Sequence, residues 1–231
     1  MKGLTDFEKF NLIKPLPDSW PRDEKGIPFL KKDNFDDVNW NEIKFASKSN
    51  IKSTKNKSKK VLLNFQFDKT LNPIYNNIFD YALKTQDFLA VTTPDFSAYR
   101  NMEPWKIEEN VIHGLWCGAW LQYLGLRVIP TVTWADERTY DICFNYIEKG
   151  SAVAISTVGI SKNKDAFLKG FKEMTKRINP SLILVRGKLI DGMEGKFIFI
   201  DFLDTFETES EYEQLTLFNL DQIQIIRKED Y

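Results

Sequence analysis

The chain has 231 residues, of which 42% are hydrophobic and 28% charged, and its formal net charge is −1. This composition predicts a globular protein with one sizeable core and excludes intrinsic disorder. Because the net charge is close to zero, the protein has no overall electrostatic field that would attract it to nucleic acid or a membrane. Two cysteines and one histidine are too few for a disulfide framework or a Cys/His zinc site.

The first ten residues are polar and charged, which does not fit a secretory signal. No apolar run approaches the roughly 20 residues that span a bilayer. We therefore expect a cytoplasmic protein with reduced cysteines and no membrane partner.

The first 60 residues contain four prolines and no regular apolar pattern. Because proline interrupts helices, we predict an irregular N-terminal arm at 1–60, ahead of a single α/β domain at 61–231. Within the arm, the stretch 48–60 holds six lysines and no acidic residue. That composition is typical of an exposed loop, and a phosphate-contacting patch is the alternative.

From residue 61 onward, short apolar runs alternate with amphipathic helical patterns. Strands are predicted at 61–67, 88–91, 127–134, 151–157, 182–185 and 197–202. Helices are predicted from Asn72-Pro73 onward, over 107–124 and over 167–178. Gly114 and Gly118 would let the second of these helices approach a neighbour closely. Residues 139–149 fit either a strand or a helix.

Apolar strands separated by helices predict an α/β fold with a mostly parallel sheet, open or curved into a partial barrel and covered by helices. Gly192 and Gly195 predict a C-terminal hairpin that leads into the last of these strands. The apolar residues in 215–226 are expected to cap the core.

Small polar residues follow several of the predicted strands. Parallel α/β folds place ligands beyond the carboxyl ends of their strands, where the following loops converge. Asp95 and Ser97, in the loop 92–97, are the candidate catalytic residues. Candidate substrate-binding residues at this and other strand ends are Thr93, Trp134, Asp136, Thr157 and Arg186.

The carboxylate of Asp95 is the strongest candidate because Pro94 fixes the backbone before it at the rim of the sheet. It could act as a general base, orient a water or bind Mg²⁺ together with Asp68 and Asp136. The alternative is that Asp95 and Ser97 cap a turn. No other cofactor and no dedicated metal site is expected, since the sequence has no phosphate-binding loop and no dinucleotide motif.

His113 lies in a helical turn flanked by tryptophans, and we expect it to be a packed core residue rather than a catalyst. No serine or cysteine has the sequence context of an activated nucleophile.

Several unlinked motifs occur in order between residues 63 and 187: Thr93-Pro94-Asp95-Phe96-Ser97-x-Tyr99, Gln122-x-x-Gly125, Val128-Ile129-Pro130, Trp134, Val153 to Gly159, Phe167-x-x-Gly170 and Asn179-Pro180. In these motifs the chain resembles an uncharacterised family of phages and other mobile elements, domain of unknown function 4417. The resemblance implies a mobile-element origin and places Asp95, Ser97 and Trp134 at motif positions. It implies no particular activity.

The chain departs from the family pattern at two places. Relatives carry an arginine before the tryptophan, where this chain has Thr133, and a Tyr-Arg-Asn-Arg run where this chain has the stretch 112–115. If those arginines bind an anion, this chain has lost much of that capacity. The departure favours a binding role over a catalytic one.

Two main functions remain open at this point. The first is a hydrolytic enzyme that acts on a nucleic acid or a nucleotide, with Asp95 as the base and Trp134 stacking on a nucleobase. The second is a non-catalytic phage protein that binds and inhibits or redirects a host protein. A purely structural domain is the third alternative. The expected partner is accordingly a host protein or a nucleic acid.

Overall fold

A computed structural model describes residues 3–160 and 163–200, together with the backbone of 225–226. The helices are α1 (Asp6–Ile13), α2 (Asp68–Asn76), α3 (Ile78–Thr85), α4 (Pro104–Tyr123), α5 (Tyr140–Phe144) and α6 (Lys164–Ile178). The strands are β1 (Lys44–Ser47), β2 (Lys60–Leu63), β3 (Ala90–Thr92), β4 (Val128–Ile129), β5 (Ala152–Ser156), β6 (Leu182–Arg186), β7 (Gly195–Ile200) and β8 (Ile225–Ile226).

The strands β1 to β7 lie side by side in chain order and run in the same direction. β1 to β4 form one parallel sheet, and β5 to β7 form a second. The two are bridged just after β4, where Val132 N donates to Ala154 O and Ala154 N donates to Pro130 O, both at 2.8 Å. The carboxyl ends of all seven strands therefore lie at one edge, and the predicted mostly parallel α/β fold is confirmed.

The two sheets share one buried inner face. A single apolar cluster contains Phe45 of β1, Ala154 of β5 and Ile198 of β7. Two further clusters lie between the outer faces of the strands and the helices. Within the described ranges no strand pairing joins β7 back to β1, so this curved sheet is not a closed barrel.

The predicted helices over 107–124 and 167–178 are confirmed in α4 and α6. Pro104 stands in the first turn of α4, where its missing N–H removes no helical hydrogen bond. The ambiguous segment 139–149 contains the short helix α5. None of the helices in the described part of the chain is long and apolar enough to cross a membrane.

An α-helix and a β-strand, together with three short 3₁₀ helices, lie in the segment 1–60, where the sequence predicts an irregular arm. At the residues of α1 and β1 the prediction is wrong. α1 begins with a capping box, in which Glu8 N donates to Thr5 Oγ1 and Thr5 N donates to the Glu8 carboxylate. β1 pairs with β2 along its whole length. A four-residue strand is too short for its periodicity to be visible, and its partner is fixed only by the tertiary fold. The domain boundary at residue 60 stays a prediction.

In the lysine-rich stretch 48–60, Lys52, Lys55 and Lys59 are exposed as predicted, whereas the other three lysines pack against the body of the protein. Lys48 Nζ donates to Thr70 O at 2.8 Å, and Lys57 Nζ lies 5.3 Å from the centre of the Phe88 ring. Lys60 begins β2, and its side chain is buried. The prediction of one exposed loop is therefore wrong at these positions, since lysine stems cover apolar surface while their amino groups find polar or aromatic partners.

The helix predicted to begin at Asn72 begins four residues earlier, at Asp68. Leu71 and Ile74 are buried on one face of this helix. Their burial stabilises a helix that starts before the Asn-Pro capping signal. Pro73 consequently lies inside α2, which ends at Asn76 before α3 starts at Ile78.

The hairpin predicted at Gly192 and Gly195 is also wrong, because β7 pairs with β6 in parallel. The antiparallel partner of β7 is β8, with Gly195 opposite Ile226. An eight-residue loop, 187–194, carries the chain from the end of β6 back to the start of β7. The two glycines indicate a turn, but they do not show whether the strands on either side pair in parallel or as a hairpin. Most of the predicted capping segment 215–226 lies outside the described residues.

Candidate functional site

A cavity of about 580 Å³ opens at the edge where the carboxyl ends of the strands gather. Its size lies in the range of small-molecule sites. The polar side chains on its wall are Ser47, Ser49, Gln66, Asp95, Ser97, Tyr99, Thr133, Trp134, Ser156 and Arg186. Residues 63, 65–67, 95–99 and 132–134 contribute most of the remaining wall. The cavity lies where the topology predicted it.

Asp95 is held in place through its backbone. Thr93 N donates to Ile129 O at 3.1 Å, and Asp95 N donates to Asn64 O at 3.2 Å, so the loop is tied to the ends of two neighbouring strands. Asn64 is itself buried, and its side chain donates to Thr92 O while accepting from Tyr81 OH at 2.8 Å. This buried polar network fixes the direction of the loop.

The Asp95 carboxyl is partly buried on the cavity wall. Burial raises its pKa to about 7; the positive charge of Arg186 opposes the rise and the negative charge of Asp68 adds to it. No described residue donates a hydrogen bond to this carboxylate. A carboxyl of this kind can accept or release a proton near neutral pH.

Ser97 also lies on the cavity wall, and its polar groups already have partners. Ser97 N and Oγ both donate to Asp68 Oδ1 at 3.0 Å, and Asn110 Nδ2 donates to Ser97 O at 2.7 Å. These contacts fit the turn-capping alternative for Ser97, and they join the loop after β2 to the loop after β3.

Arg186 ends β6 and is partly buried on the cavity wall. Its guanidinium carbon lies 5.6 Å from the centre of the Phe65 ring. Burial lowers the pKa of Arg186, and the nearby Asp95 carboxylate opposes this. Arginine remains charged in any protein environment, so it brings positive charge to the wall on which Asp95 stands.

Trp134 forms part of the wall, and its ring packs against other aromatic side chains of the protein. The indole stacks on Phe167 with 4.9 Å between ring centres and meets the edge of Phe144 at 5.8 Å. One face of the indole is therefore covered by the protein itself.

The remaining predicted site residues do not line the cavity. Thr93 lies behind the wall, where Thr131 N donates to Thr93 Oγ1 at 2.8 Å. Thr157 donates to Lys188 O at 2.7 Å. Asp136 caps a 3₁₀ turn and binds Arg138, with Nε 2.8 Å from Oδ1. These three side chains stabilise loops around the site.

Sequence reasoning missed a polar corner formed by Ser47, Ser49 and Gln66. Gln66 Nε2 donates to Ser47 Oγ at 3.0 Å, which joins the loop after β2 to the end of β1. The short apolar run 45–46 before Ser47 was the only sequence signal, and it was too brief to predict a strand.

Among the described residues, no three His, Cys, Asp or Glu side chains come together in a group that could hold a metal ion. Asp68, Asp95 and Asp136 do not come together in such a group, and Mg²⁺ binding at Asp95 stays a prediction. His113 is half-buried and packs between rings: it stacks on Tyr75 with 4.0 Å between ring centres and meets Phe96 edge-on. Burial lowers the pKa of His113 and favours its neutral form.

The fold and the cavity together define a parallel α/β protein with a polar, partly aromatic site at the carboxyl edge of its sheet. The chain belongs to the family described as Domain of unknown function (DUF4417), whose model matches residues 22–204. The match includes β1, which lies inside the segment predicted to be an arm.

Two phage proteins are similar to part of the chain. The Gene 1 protein of Mycobacterium phage L5 is 44% identical over 103 residues, which cover 43% of this chain and 45% of the relative. The Gene 1 protein of Mycobacterium phage D29 is 42% identical over 103 residues, covering 43% of this chain and 38% of the relative. The chain thus matches less than half the length of either relative. These relatives support a phage origin. No solved structure matches the chain.

Proposed function

We propose that the protein is a phage or mobile-element hydrolytic enzyme that acts on a nucleic acid or a nucleotide in the cavity at the carboxyl edge of the sheet. The observation that carries the proposal is the Asp95 carboxyl, whose pKa burial raises to about 7 on the wall of an open cavity. A general base works best when its pKa lies near the working pH.

In this reaction Asp95 accepts a proton from a water molecule as the water oxygen bonds to the scissile atom of the substrate. The bond from that atom to the leaving group breaks, and the protonated Asp95 returns its proton to the leaving group. Positive charge from Arg186, on the same wall, favours the negative charge that develops on the substrate. Ser97 holds the loop after β3 in position through Asp68. No step requires a redox cofactor.

The test is turnover of a panel of mononucleotides, single-stranded DNA and RNA by the wild-type chain and by Asp95→Asn. We expect Asp95→Asn to lower turnover by about 10²- to 10⁴-fold, the usual contribution of a general base. Asp191→Asn, at an exposed position outside the cavity, is the matched control and should retain wild-type turnover. Equal turnover by the wild type and Asp95→Asn, or none on any member of the panel, would refute the proposal.

A second candidate function is capture of a host protein through an apolar patch on α3 and α4. Phe79, Leu83 and Tyr123 are 40%, 68% and 50% exposed. Phe79 and Tyr123 both contact the ring of Trp120, with 4.9 Å and 5.7 Å between ring centres. Leu83 lies one helical turn after Phe79 in α3, where side chains four residues apart are neighbours. A continuous exposed apolar patch is typical of protein-interaction surfaces.

One experiment distinguishes the two candidate functions. Leu83→Lys should abolish capture of a host protein from lysate and leave turnover unchanged, whereas Asp95→Asn should do the reverse. Loss of both properties in Asp95→Asn would contradict a separate binding surface.

A further inference from the structure

Two aromatic side chains at the cavity mouth are exposed to solvent. Phe67 and Tyr99 both line the cavity, and they are 84% and 63% exposed. Phe67 precedes α2 and Tyr99 lies in the loop after β3. An exposed ring loses the stabilisation that burial gives, so two such rings at one opening suggest a ligand that covers them.

The two rings stand on loops that are tied together. Asp68, next to Phe67, accepts from Ser97, two residues before Tyr99, through both N and Oγ at 3.0 Å. This link holds the two loops close, and each ring is one or two residues from it. Trp134, by contrast, already stacks on Phe167 and has one face covered.

We propose that Phe67 and Tyr99 form a stacking site for a single nucleobase at the mouth of the cavity. The inference rests on the proposed function and specifies how its substrate is bound. Aromatic side chains bind bases of nucleotides and single strands by stacking, without regard to base identity.

The wall behind the rings fits the sugar and the base edges. Ser47, Ser49, Thr133 and Ser156 bring hydroxyl groups to the cavity, and Gln66 brings an amide. Among the described lining residues Arg186 is the only basic side chain, which fits a nucleoside unit better than a polyphosphate. The volume of about 580 Å³ accommodates one such unit.

Each of the two rings has a basic residue close by in the sequence, and positive charge of this kind attracts a phosphate group. Lys69 and Arg100 are exposed, two residues after Phe67 and directly after Tyr99. A phosphate near them belongs either to a free nucleoside monophosphate or to a strand that presents one unstacked base. The base is the shared chemistry, and the experiment separates the two sources.

The experiment measures binding by calorimetry in the Asp95→Asn background, where the proposed hydrolysis is expected to be slow. The probes are AMP, GMP, CMP and UMP in one arm and single-stranded DNA and RNA 12-mers in the other. Phe67→Leu and Tyr99→Leu remove each ring, and Trp105→Leu is the matched control, because Trp105 is 65% exposed and does not line the cavity.

We expect each ring variant to weaken binding roughly tenfold or more, while Trp105→Leu leaves the dissociation constant unchanged. Binding of the monophosphates identifies a free nucleotide, and binding of the 12-mers alone identifies a strand. Binding of neither class, or equal affinity in all three leucine variants, overturns the stacking site. If the rings matter for binding but the wild type turns over no probe, the proposed hydrolysis fails and the stacking site stands.

Discussion

Gly170 on α6 lies directly against the indole of Trp134: a Cβ at position 170 would stand 2.1 Å from Trp134 Nε1. The small residue thus makes room for a ring on the cavity wall. Two other glycines likewise make room for a threonine side chain. A Cβ on Gly118 would stand 2.7 Å from Thr93 Cγ2, and a Cβ on Gly187 would stand 2.4 Å from Thr157 Oγ1.

Gly170→Ala should lower the free energy of unfolding by about 1–3 kcal/mol, because the added methyl group forces the indole off its position. Alanine favours a helix over glycine by about 1 kcal/mol, so a loss would appear despite better helix propensity. Urea denaturation measures the effect. Gly170→Ala combined with Trp134→Ala should be no less stable than Trp134→Ala alone; a further loss in the double variant would contradict the clash.

Gly118→Ala should destabilise the protein by about 1–3 kcal/mol, since the methyl group would meet both Thr93 and Leu30. Thr93→Ser removes the Cγ2 methyl but keeps the hydroxyl that accepts from Thr131 N. It should therefore recover part of the loss in the double variant. Additive effects of the two substitutions, measured by thermal unfolding, would show that α4 does not press on this loop.

The raised pKa of Asp95 predicts how stability changes with pH. The folded state holds the proton up to about pH 7, whereas the unfolded chain releases it near pH 4. The folded state therefore binds more protons in this window, and the unfolding free energy contributed by Asp95 falls as pH rises from about 4 to 7, by about 2–4 kcal/mol in total.

Asp95→Asn should remove this fall, so the variant gains stability relative to the wild type between pH 5 and pH 8. Urea denaturation at several pH values measures it, with Asp191→Asn as the control. Parallel pH profiles for the wild type and Asp95→Asn would mean that the carboxyl is not held protonated by the fold.

Tyr81→Phe should cost about 1–3 kcal/mol of unfolding free energy, because it leaves the buried Asn64 Oδ1 without its 2.8 Å donor. Tyr75→Phe is the matched control, as the Tyr75 hydroxyl has no hydrogen-bond partner in the described part of the chain. Since Asn64 O accepts from Asp95 N, Tyr81→Phe should also lower turnover if the proposed reaction occurs. Equal stability of the two phenylalanine variants would argue against a role for the network.

The sequence by itself determined the alternation of strands and helices, the long helix α4 and the place of the Asp95 loop at a strand end. These features are local: apolar periodicity, glycine spacing and turn residues act over a few positions. The glycines at 114 and 118 predicted a close approach of α4, and the tertiary structure confirms it with Pro94 O 3.2 Å from the Gly114 Cβ position.

Only the tertiary structure decided which side chains share the cavity. Successive residues of a strand point to opposite sides, so a difference of one position separates a lining residue from a supporting one. Ser156 lines the cavity, whereas its neighbour Thr157 binds the backbone of the loop after β6. Ser47 and Gln66 meet because β1 pairs with β2 in a register that neither segment specifies alone. Strand register and loop direction depend on contacts between segments far apart in the chain, and local patterns do not contain them.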